Sequence, residues 1–469
     1  MKIEQIYTGC LAQGAYYIQS DGEAVIIDPL REVSPYIKKA EADNVKIKYV
    51  LETHFHADFV SGHVTLSEKT GAPIIYGPNA DPTFEAHIAT DGEEFKVGKI
   101  TIKVLHTPGH TMESTTYLLK DEEGKDHAIF TGDTLFLGDV GRPDLAQKSS
   151  EMTQEDLAGI LYDSLRNKIM PLADDIIVFP AHGAGSACGK NMSKETVDTL
   201  GNQKKTNYAL RADMTKEEFI KEVTDGLEAP PAYFPTNVKM NKEGYESIDD
   251  VLEKGTRAFT PDEFEVLVNE TEALMLDLRK PNEYAEAHIP NSIFIGLDGS
   301  FAPWVGELIV DTKQPLILIA PDGRVDEAVT RLARVGFDNT LGYLEGGLDA
   351  WQESKKEVDT VDSINAEEFA SKYEEISDVI FDVRRENEYL SERVEKAHNI
   401  PLSDLNQYLA EFPQDKTFYI HCGGGYRSMI ASSILKARGI HNLIDVAGGF
   451  GAIKKTEIPK TNFVCPTTL

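Results

Sequence analysis

The chain of 469 residues is long enough for about three domains, and its hydrophobic content of 41% and charged content of 27% are typical of a globular protein. A formal net charge of −31 argues against binding to nucleic acid or to an anionic membrane surface. The sequence contains no run of about 18 apolar residues, so no membrane span is predicted. The opening stretch MKIEQIYTGC lacks the basic and apolar parts of a signal peptide, so we expect a cytoplasmic protein.

Strands that alternate with helices are predicted up to about residue 230. The stretch AYYIQSDGEAVIIDP predicts two strands around a Ser-Asp-Gly turn, and KITIKVLHT, HAIFTGDTLF and DIIVFPAH predict later strands. Helical patterns lie between them, as in VSPYIKKAEADN and TQEDLAGILYDSLRNKI. Several strands end in His or Asp, which favours an α/β layered fold with its site at the strand ends. The prolines and polar residues of 227–244 predict an irregular linker.

An internal repeat occupies the rest of the chain. The pattern D-x-R-x-x-N-E-Y begins at Asp277 and again at Asp382, 105 residues later. Each copy continues with a strand, a loop, a helix and a Gly-Gly pair. Two copies of a unit near 100 residues predict a duplicated α/β domain, because a solenoid would need several shorter repeats.

Six residues at predicted strand ends form a candidate metal site. They are His54, His56 and Asp58 in THFHADF, His110 in TPGHT, Asp133 in TGDT and His182 in PAHG. A single His is more often a core or surface residue than a ligand. Here three short motifs, each with Gly or Pro beside the His or Asp, follow an H-x-H-x-D box in order, and the set indicates metal binding. Position 59, where such a box closes with a further His, holds Phe59.

These motifs, together with GRPD, resemble the metallo-β-lactamase superfold and, within it, the glyoxalase II and persulfide dioxygenase branch. The resemblance implies an αββα sandwich over residues 1–240. Two-metal hydrolases of this superfold use the final His of the box for their second metal, so the resemblance implies that Phe59 stands at the position of such a ligand. A phenyl ring cannot ligate a metal, so Phe59 favours one metal, although simple core packing explains this residue equally well.

The mononuclear persulfide dioxygenases of this branch imply one Fe(II) per chain, held by His54, His110 and Asp133. Two imidazoles and one carboxylate also form the facial triad of non-haem Fe(II) oxygenases. The other three candidates would then orient the ligands or a bound water; these are His56, Asp58 and His182.

A second candidate site is the loop HCGGGYRS around Cys422, between a predicted strand and a predicted helix. The helix N-terminus favours a thiolate or persulfide anion. The amides that can point at the sulfur belong to Gly423, Gly424, Gly425, Tyr426, Arg427 and Ser428. This loop, with DVRRENEY and AHNIP, resembles the rhodanese fold, which implies that Cys422 carries a persulfide. The Cys-based phosphatase loops it also resembles need one more residue.

The first copy of the repeat has IAPDGRVDEA at the loop position, and no Cys lies between Cys188 and Cys422. We therefore expect an inactive rhodanese-like domain at 255–355, used for packing or assembly, and an active one at 360–469. Without a C-x-x-C pair, the four cysteines are predicted to be free thiols. Cys188, six residues after His182, is either a sulfur relay or an ordinary loop residue; Cys10 is a weaker candidate, and Cys465 is expected to have no role.

Arg142, in DVGRPD, follows shortly after Asp133. An Arg at the rim of a site can pair with a substrate carboxylate or phosphate through two parallel hydrogen bonds. In an acidic protein this residue is a candidate anchor for an anionic thiol. A structural salt bridge is the alternative.

The order of the three domains resembles the fused persulfide dioxygenase–sulfurtransferases of bacterial sulfide detoxification. The resemblance implies that a persulfide of glutathione, coenzyme A or another thiol is oxidised with O₂ to sulfite and thiol, and that Cys422 makes or uses thiosulfate. We also expect a homo-oligomer. Two alternatives stay open: a zinc thiolester hydrolase of the glyoxalase II type with a fused rhodanese, and a non-catalytic sulfur carrier or sensor.

Overall fold

The computed structural model describes residues 1–146, 151–227 and 229–465, which divide into two compact units. Unit 1 comprises Met1–Asp250 with Leu332–Phe337, and unit 2 comprises Val251–Arg331 with Asp338–Leu469. Among the described helices, none has the length and apolar character that crossing a membrane requires.

Two six-stranded sheets form the centre of unit 1. The first sheet has the spatial order β1 (Lys2–Thr8), β2 (Gln13–Ser20), β3 (Glu23–Ile27), β4 (Lys46–Leu51), β5 (Ile74–Tyr76) and β6 (His87–Ile88). The second has the order β12 (Asp198–Thr199), β11 (Ile177–Pro180), β10 (Asp126–Gly132), β9 (Thr115–Lys120), β8 (Ile100–His106) and β7 (Glu94–Val97). The predicted hairpin is confirmed, because β2 and β3 pair antiparallel around Asp21 and Gly22, both at positive φ as a type I′ turn requires.

Helices cover the outer face of each sheet, so unit 1 is an αββα sandwich, as the resemblance implies. Its helices are α1 (Ser34–Ala42), α2 (His63–Thr70), α3 (Gln154–Ser164), α4 (Leu200–Thr206), α5 (Lys216–Thr224), α6 (Phe234–Glu243) and α7 (Ile248–Gly255), the last of which continues into unit 2. The core between the sheets includes Tyr16 and Phe130, whose ring centroids lie 4.9 Å apart. Separate clusters join Tyr36 of α1 to the first sheet and Leu161 of α3 to the second.

The prediction of an irregular linker at 227–244 is wrong over most of its length. Helix α6 begins at Phe234, and Pro235 occupies the first turn, where a missing N–H costs no hydrogen bond. Phe234 and Asn241 are buried in unit 1. The prolines therefore mark a helix start rather than a break between domains.

Unit 2 contains two five-stranded parallel sheets with the same strand order. The first copy (residues 258–353) has the order β13 (Ala258–Phe259), β17 (Thr340–Leu344), β16 (Leu316–Ile319), β14 (Leu274–Asp277) and β15 (Ile293–Phe294). The second copy (residues 363–453) has the order β18 (Ser363–Ile364), β22 (Leu443–Val446), β21 (Phe418–His421), β19 (Ile380–Asp382) and β20 (His398–Asn399). This identity of topology confirms the predicted duplication.

Each copy also carries helices, most of them at corresponding positions. Those of the first copy are α8 (Pro261–Thr271), α9 (Pro281–Glu286), α10 (Phe301–Leu308), α11 (Val325–Arg334) and α12 (Gly347–Glu353). Those of the second copy are α13 (Ala366–Ser371), α14 (Tyr373–Ile376), α15 (Glu386–Ser391), α16 (Tyr426–Ala437) and α17 (Gly449–Ile453). In both copies the Asp and the Arg of the motif Asp-x-Arg form an ion pair with each other. Arg279 pairs with Asp277, and Arg384 pairs with Asp382, each at 2.6 Å.

Candidate metal centre and cysteine loop

The six predicted strand-end residues converge in unit 1. Residues 54, 56 and 58 follow β4 of the first sheet, whereas residues 110, 133 and 182 follow β8, β10 and β11 of the second sheet. All six residues are buried, with exposed fractions of 5% or less. The two sheets thus bring distant parts of the chain to one edge of the sandwich.

His54, His110 and Asp133 form one compact set. The Oδ2 atom of Asp133 lies 3.8 Å from Nε2 of His54 and 3.4 Å from Nε2 of His110. One ligand atom from each residue lies within 4.8 Å of the others. Two imidazole nitrogens and a carboxylate oxygen at these separations can contact a single cation.

Both imidazoles are oriented through their other ring nitrogen. Nδ1 of His54 lies 3.0 Å from the Thr53 hydroxyl, which itself donates to Oδ2 of Asp28 at 2.8 Å. Nδ1 of His110 donates to the carbonyl of Arg142 at 2.8 Å. Because Nδ1 carries the proton in each case, Nε2 keeps a lone pair that faces Asp133. This is the arrangement that orients histidine ligands of metals.

The donor set fits a cation. Among the described residues, neither carboxylate oxygen of Asp133 has a hydrogen-bond partner, although both are buried. A buried carboxylate without partners is costly, and a bound cation removes that cost. Burial, helped by three neighbouring imidazoles, holds the pKa of His54 well below its usual value, so this ring is neutral and able to ligate.

The remaining predicted residues lie beside this set. Nε2 of His182 is 3.5 Å from Oδ1 of Asp133 and 3.3 Å from Oδ2 of Asp58. His56 turns the other way, with Nε2 at 3.1 Å from Oδ1 of Asp28. Burial opposes its charge, but the Asp28 carboxylate raises the pKa of His56 to about 9. The buried ring of Phe59 packs on His56 with the centroids 4.3 Å apart.

The sequence-based prediction missed three residues of this centre. Asp28 directly follows β3 and Glu52 directly follows β4, so both carried the strand-end signal that identified the other candidates. The carboxyl of Glu52 is buried near His56, at 3.6 Å, and burial together with Asp28 raises its pKa well above the usual value. Asn241 carried no local signal. Its side-chain amide donates to the carbonyls of His56 and Phe59, each at 2.8 Å, and holds in place the loop of residues 54–59, here called the ligand loop.

Cys188 lies in the same centre. Its thiol is buried, and its sulfur is within 4.8 Å of ligand atoms of Asp133 and His182. Burial raises the pKa of the Cys188 thiol well above the usual value, and the carboxylates of Asp58 and Asp133 act in the same direction. The location is compatible with the predicted relay, whereas a thiol that holds its proton is a weak nucleophile.

The side chain of Arg142 is engaged by its own loop and by the loop that carries Cys188. It pairs with both carboxylate oxygens of Asp144 at 2.7 Å and donates to the carbonyl of Ala187 at 3.2 Å. Its backbone N–H donates to the carbonyl of Cys188 at 3.0 Å. These contacts favour the structural alternative, in which Arg142 holds the loop whose carbonyl orients His110.

We expect Arg142→Ala to lower the metal content and kcat by about tenfold, with a smaller change in KM, because the orientation of His110 loosens. Metal analysis after dialysis and O₂-uptake kinetics measure both effects. Arg142→Lys is the matched control that keeps the charge but loses the bidentate fork. A large rise in KM for Arg142→Ala at full metal content would instead identify Arg142 as a substrate anchor.

The cysteine loop of unit 2 has the geometry of an anion site. Cys422 follows β21, its side chain is buried, and α16 begins four residues later. The amide of Gly425 donates to Sγ of Cys422 at 3.1 Å, with Gly425 at a φ of 97° that favours glycine. Of the other predicted cradle residues, Arg427 pairs its guanidinium with Glu388 at 2.5 and 2.8 Å rather than with the sulfur.

The first copy keeps the loop but not the nucleophile. Ala320 follows β16 at the position that Cys422 has after β21, and Gly323 repeats the positive φ of Gly425 at 71°. A cavity of about 380 Å³ beside this loop is lined in part by Asp322 and Asp326. Two carboxylates at this place would repel sulfur anions. Loss of the thiol and the added negative charge both fit the predicted inactivity.

Comparison with known proteins agrees with this architecture. The metallo-β-lactamase superfamily matches residues 8–182, and the rhodanese-like domain matches residues 260–354 and 365–456. A metallo-β-lactamase structure from Staphylococcus aureus subsp. aureus COL is 33% identical, covers 73% of this chain and 98% of its own, and has a TM-score of 0.64.

Two kinds of relative match the first part of the chain. The mitochondrial persulfide dioxygenase ETHE1 of Mus musculus is 30% identical over 213 residues, which are 44% of this chain and 73% of that protein. The cytoplasmic hydroxyacylglutathione hydrolase of Arabidopsis thaliana is 35% identical over 147 residues, 30% of this chain. The match spans only 56% of the length of that hydrolase.

Proposed function

Because the chain belongs to the metallo-β-lactamase superfamily and carries two rhodanese-like domains after that domain, we propose that it is a persulfide dioxygenase with an attached sulfurtransferase. One observation carries the proposal. A set of two imidazoles and one carboxylate, His54, His110 and Asp133, stands beside a box whose last His is replaced by the buried Phe59. That set suits a single Fe(II), with open positions for two further ligands.

Three reactants enter the reaction proposed for the metal centre. One thiol persulfide anion, one O₂ and one water give sulfite, the free thiol and one proton. The terminal sulfur loses four electrons, and O₂ accepts them. The thiol would be glutathione, coenzyme A or another small thiol, and the site would lie in the cytoplasm.

In this proposal His54, His110 and Asp133 hold one Fe(II) per chain. The ion would supply the redox chemistry and the open positions for the sulfur anion and O₂. The chain's own residues set the conditions around it. Thr53, backed by Asp28, fixes the ring of His54. Phe59 keeps bulk water from the face it covers, and Asp58 with His182 would orient the water that provides the third oxygen of sulfite.

The second centre would transfer sulfur without net oxidation. A persulfide on Cys422 gives its outer sulfur to sulfite, whose lone pair forms the new S–S bond. The bonding pair of the broken S–S bond stays on Cys422 as thiolate, and thiosulfate leaves. The same step in reverse loads Cys422 from thiosulfate. The N–H of Gly425 stabilises the thiolate that each direction produces or consumes. Covalent fusion raises the effective concentration of the shared intermediate.

A second candidate is a thiolester hydrolase, since hydroxyacylglutathione hydrolases are among the relatives. That chemistry would need two metals that share a water nucleophile. Phe59 counts against it, because a phenyl ring replaces a ligand of the second metal. The fused cysteine loop also counts against it, because hydrolysis of a thiolester has no use for a sulfur carrier.

Metal analysis combined with O₂ uptake separates these functions. We expect about one Fe per chain and O₂ consumption with glutathione persulfide, because His54, His110 and Asp133 together offer a three-ligand position with open sites. Hydrolysis of S-lactoylglutathione, followed by thiol release, is the control reaction. Two tightly held zinc ions with thiolester hydrolysis and without O₂ uptake would contradict the proposal.

A further inference from the structure

We infer that the first copy, which lacks a cysteine, holds the start of helix α16 beside Cys422 in the second copy through the side chain of Tyr426. This inference rests on the proposed role of Cys422 as a sulfur carrier. It gives the first copy a task at the reacting centre of its neighbour, beyond packing or assembly. Tyr426 is a positioning residue in this view, since its hydroxyl and its ring contact residues of the first copy.

Tyr426 stands where a small displacement would change the hydrogen bonds that the start of α16 makes to the Cys422 sulfur. It is the first residue of α16 and follows Gly425, whose amide donates to Sγ of Cys422 at 3.1 Å. The direction of the first-turn amides therefore depends on how the start of this helix is held. Hydrogen bonds to a sulfur anion weaken steeply when the donor turns or withdraws.

The first copy holds the Tyr426 side chain closely. The phenol hydroxyl donates to the carbonyl of Gly296 at 2.7 Å, and the ring lies edge-on to Phe294 with the centroids 5.9 Å apart. A Cβ atom at Gly299 would come within 2.4 Å of the ring, and one at Gly296 within 3.2 Å. Gly299 has no positive φ, so close approach of the tyrosine is what requires glycine there, whereas a Cβ at Gly296 would first meet the Arg279 carbonyl oxygen at 2.8 Å.

A second tether lies further along the same helix. The hydroxyl of Ser433 accepts from the buried backbone N–H of Phe294 at 3.0 Å. Residues 426 and 433 are seven apart, so both lie on one face of α16. Contacts about two turns apart fix the position of the helix along its axis as well as its direction.

The holding segment is itself fixed inside the first copy. Arg331, from α11, donates to the carbonyl of Leu297 at 2.5 Å and to that of Gly299 at 3.1 Å. Its guanidinium also lies over the ring of Phe301, 5.4 Å from the centroid. A buried arginine bonded to backbone carbonyls makes segment 294–299 a firm support for Tyr426.

The test compares Tyr426→Phe, which deletes only the hydroxyl, with Gly299→Ala, which acts from the first copy by pushing on the ring. Tyr408→Phe is the matched control, because Tyr408 lies in the second copy with 48% of its surface exposed. The full-length chain is assayed for thiosulfate:cyanide sulfur transfer, for the gain of one sulfur at Cys422 by mass spectrometry, and for Tm.

We expect kcat to fall about threefold to tenfold in Tyr426→Phe and in Gly299→Ala, the effect of losing or bending one hydrogen bond. KM for thiosulfate should change by less than about twofold, because Tyr426 would act on the charge of the Cys422 sulfur during the transfer steps rather than on the binding of thiosulfate. Tyr408→Phe should match the parent. Ser433→Thr, which keeps the hydroxyl, should retain more activity than Ser433→Ala.

A lower Tm with an unchanged kcat in both main variants would overturn the inference, because the contact would then serve stability alone. That result leaves the proposed function standing, provided that the parent chain loads sulfur at Cys422. A parent chain that neither transfers sulfur nor gains it at Cys422 would overturn the proposed function and this inference with it.

Discussion

Replacing His110 by alanine is expected to abolish O₂ consumption while sulfur transfer at Cys422 continues. His110 presents Nε2 to Asp133 at 3.4 Å and its ring is held by the Arg142 carbonyl, so alanine at position 110 removes one of the three proposed ligand atoms. Loss of one of three ligands should lower metal content and O₂ uptake by more than about 100-fold, since even indirect partners of a ligand account for about 10- to 100-fold.

Metal analysis, O₂-electrode rates with glutathione persulfide, and thiosulfate:cyanide transfer measure the three quantities on one preparation. His87→Ala is the matched control, because His87 is exposed and pairs with Glu93 away from the centre. O₂ uptake that survives in His110→Ala would contradict the ligand assignment. A parallel loss of sulfur transfer would contradict the separation of the two activities.

Cys422→Ser is expected to change the product rather than the rate of O₂ uptake. If Cys422 acts after the metal centre, the variant should release sulfite where the parent releases thiosulfate. A serine alkoxide does not form at neutral pH and cannot hold sulfane sulfur, whereas a thiolate beside the Gly425 amide can. We expect the thiosulfate share of the product to fall at least about tenfold.

Ion chromatography of sulfite and thiosulfate after full conversion measures this ratio. Cys465→Ser serves as the control, because Cys465 is an exposed cysteine near the C-terminal end. Mass spectrometry after exposure to persulfide should place one added sulfur on the peptide that bears Cys422. Thiosulfate formed by Cys422→Ser at the parent ratio would mean that sulfite is captured elsewhere, at Cys188 or by free persulfide.

Local motifs in the sequence were sufficient to predict six residues that lie after strand ends. They place His54, His110 and Asp133 within four residues of the ends of β4, β8 and β10, and strand ends from two packed sheets meet at one edge. The repeat was predicted equally well, since Asp277 and Asp382 carry the same motif. These predictions depend on local spacing, which tertiary structure does not override.

Contacts between distant segments escaped prediction. Asn241 reaches the ligand loop from a helix whose prolines indicated a linker, and nothing local marks an asparagine as a partner of carbonyls about 180 residues away. Tyr426 was identified only as a source of a backbone amide. Its hydroxyl bond to Gly296 depends on how the two copies pack, and a single sequence without homologues holds no record of that packing.

The proposed metal ligands come from strand ends of two sheets, between positions 54 and 133, and this has a consequence for protein lifetime. An unfolded chain cannot gather them, so a cation would bind the folded unit alone. By mass action, each tenfold rise of free ion above its Kd then adds about 1.4 kcal/mol to the free energy of unfolding. A chelator would act on unit 1 as a mild denaturant. In cells starved of the ion, unit 1 would unfold more often and proteases would degrade more of the protein.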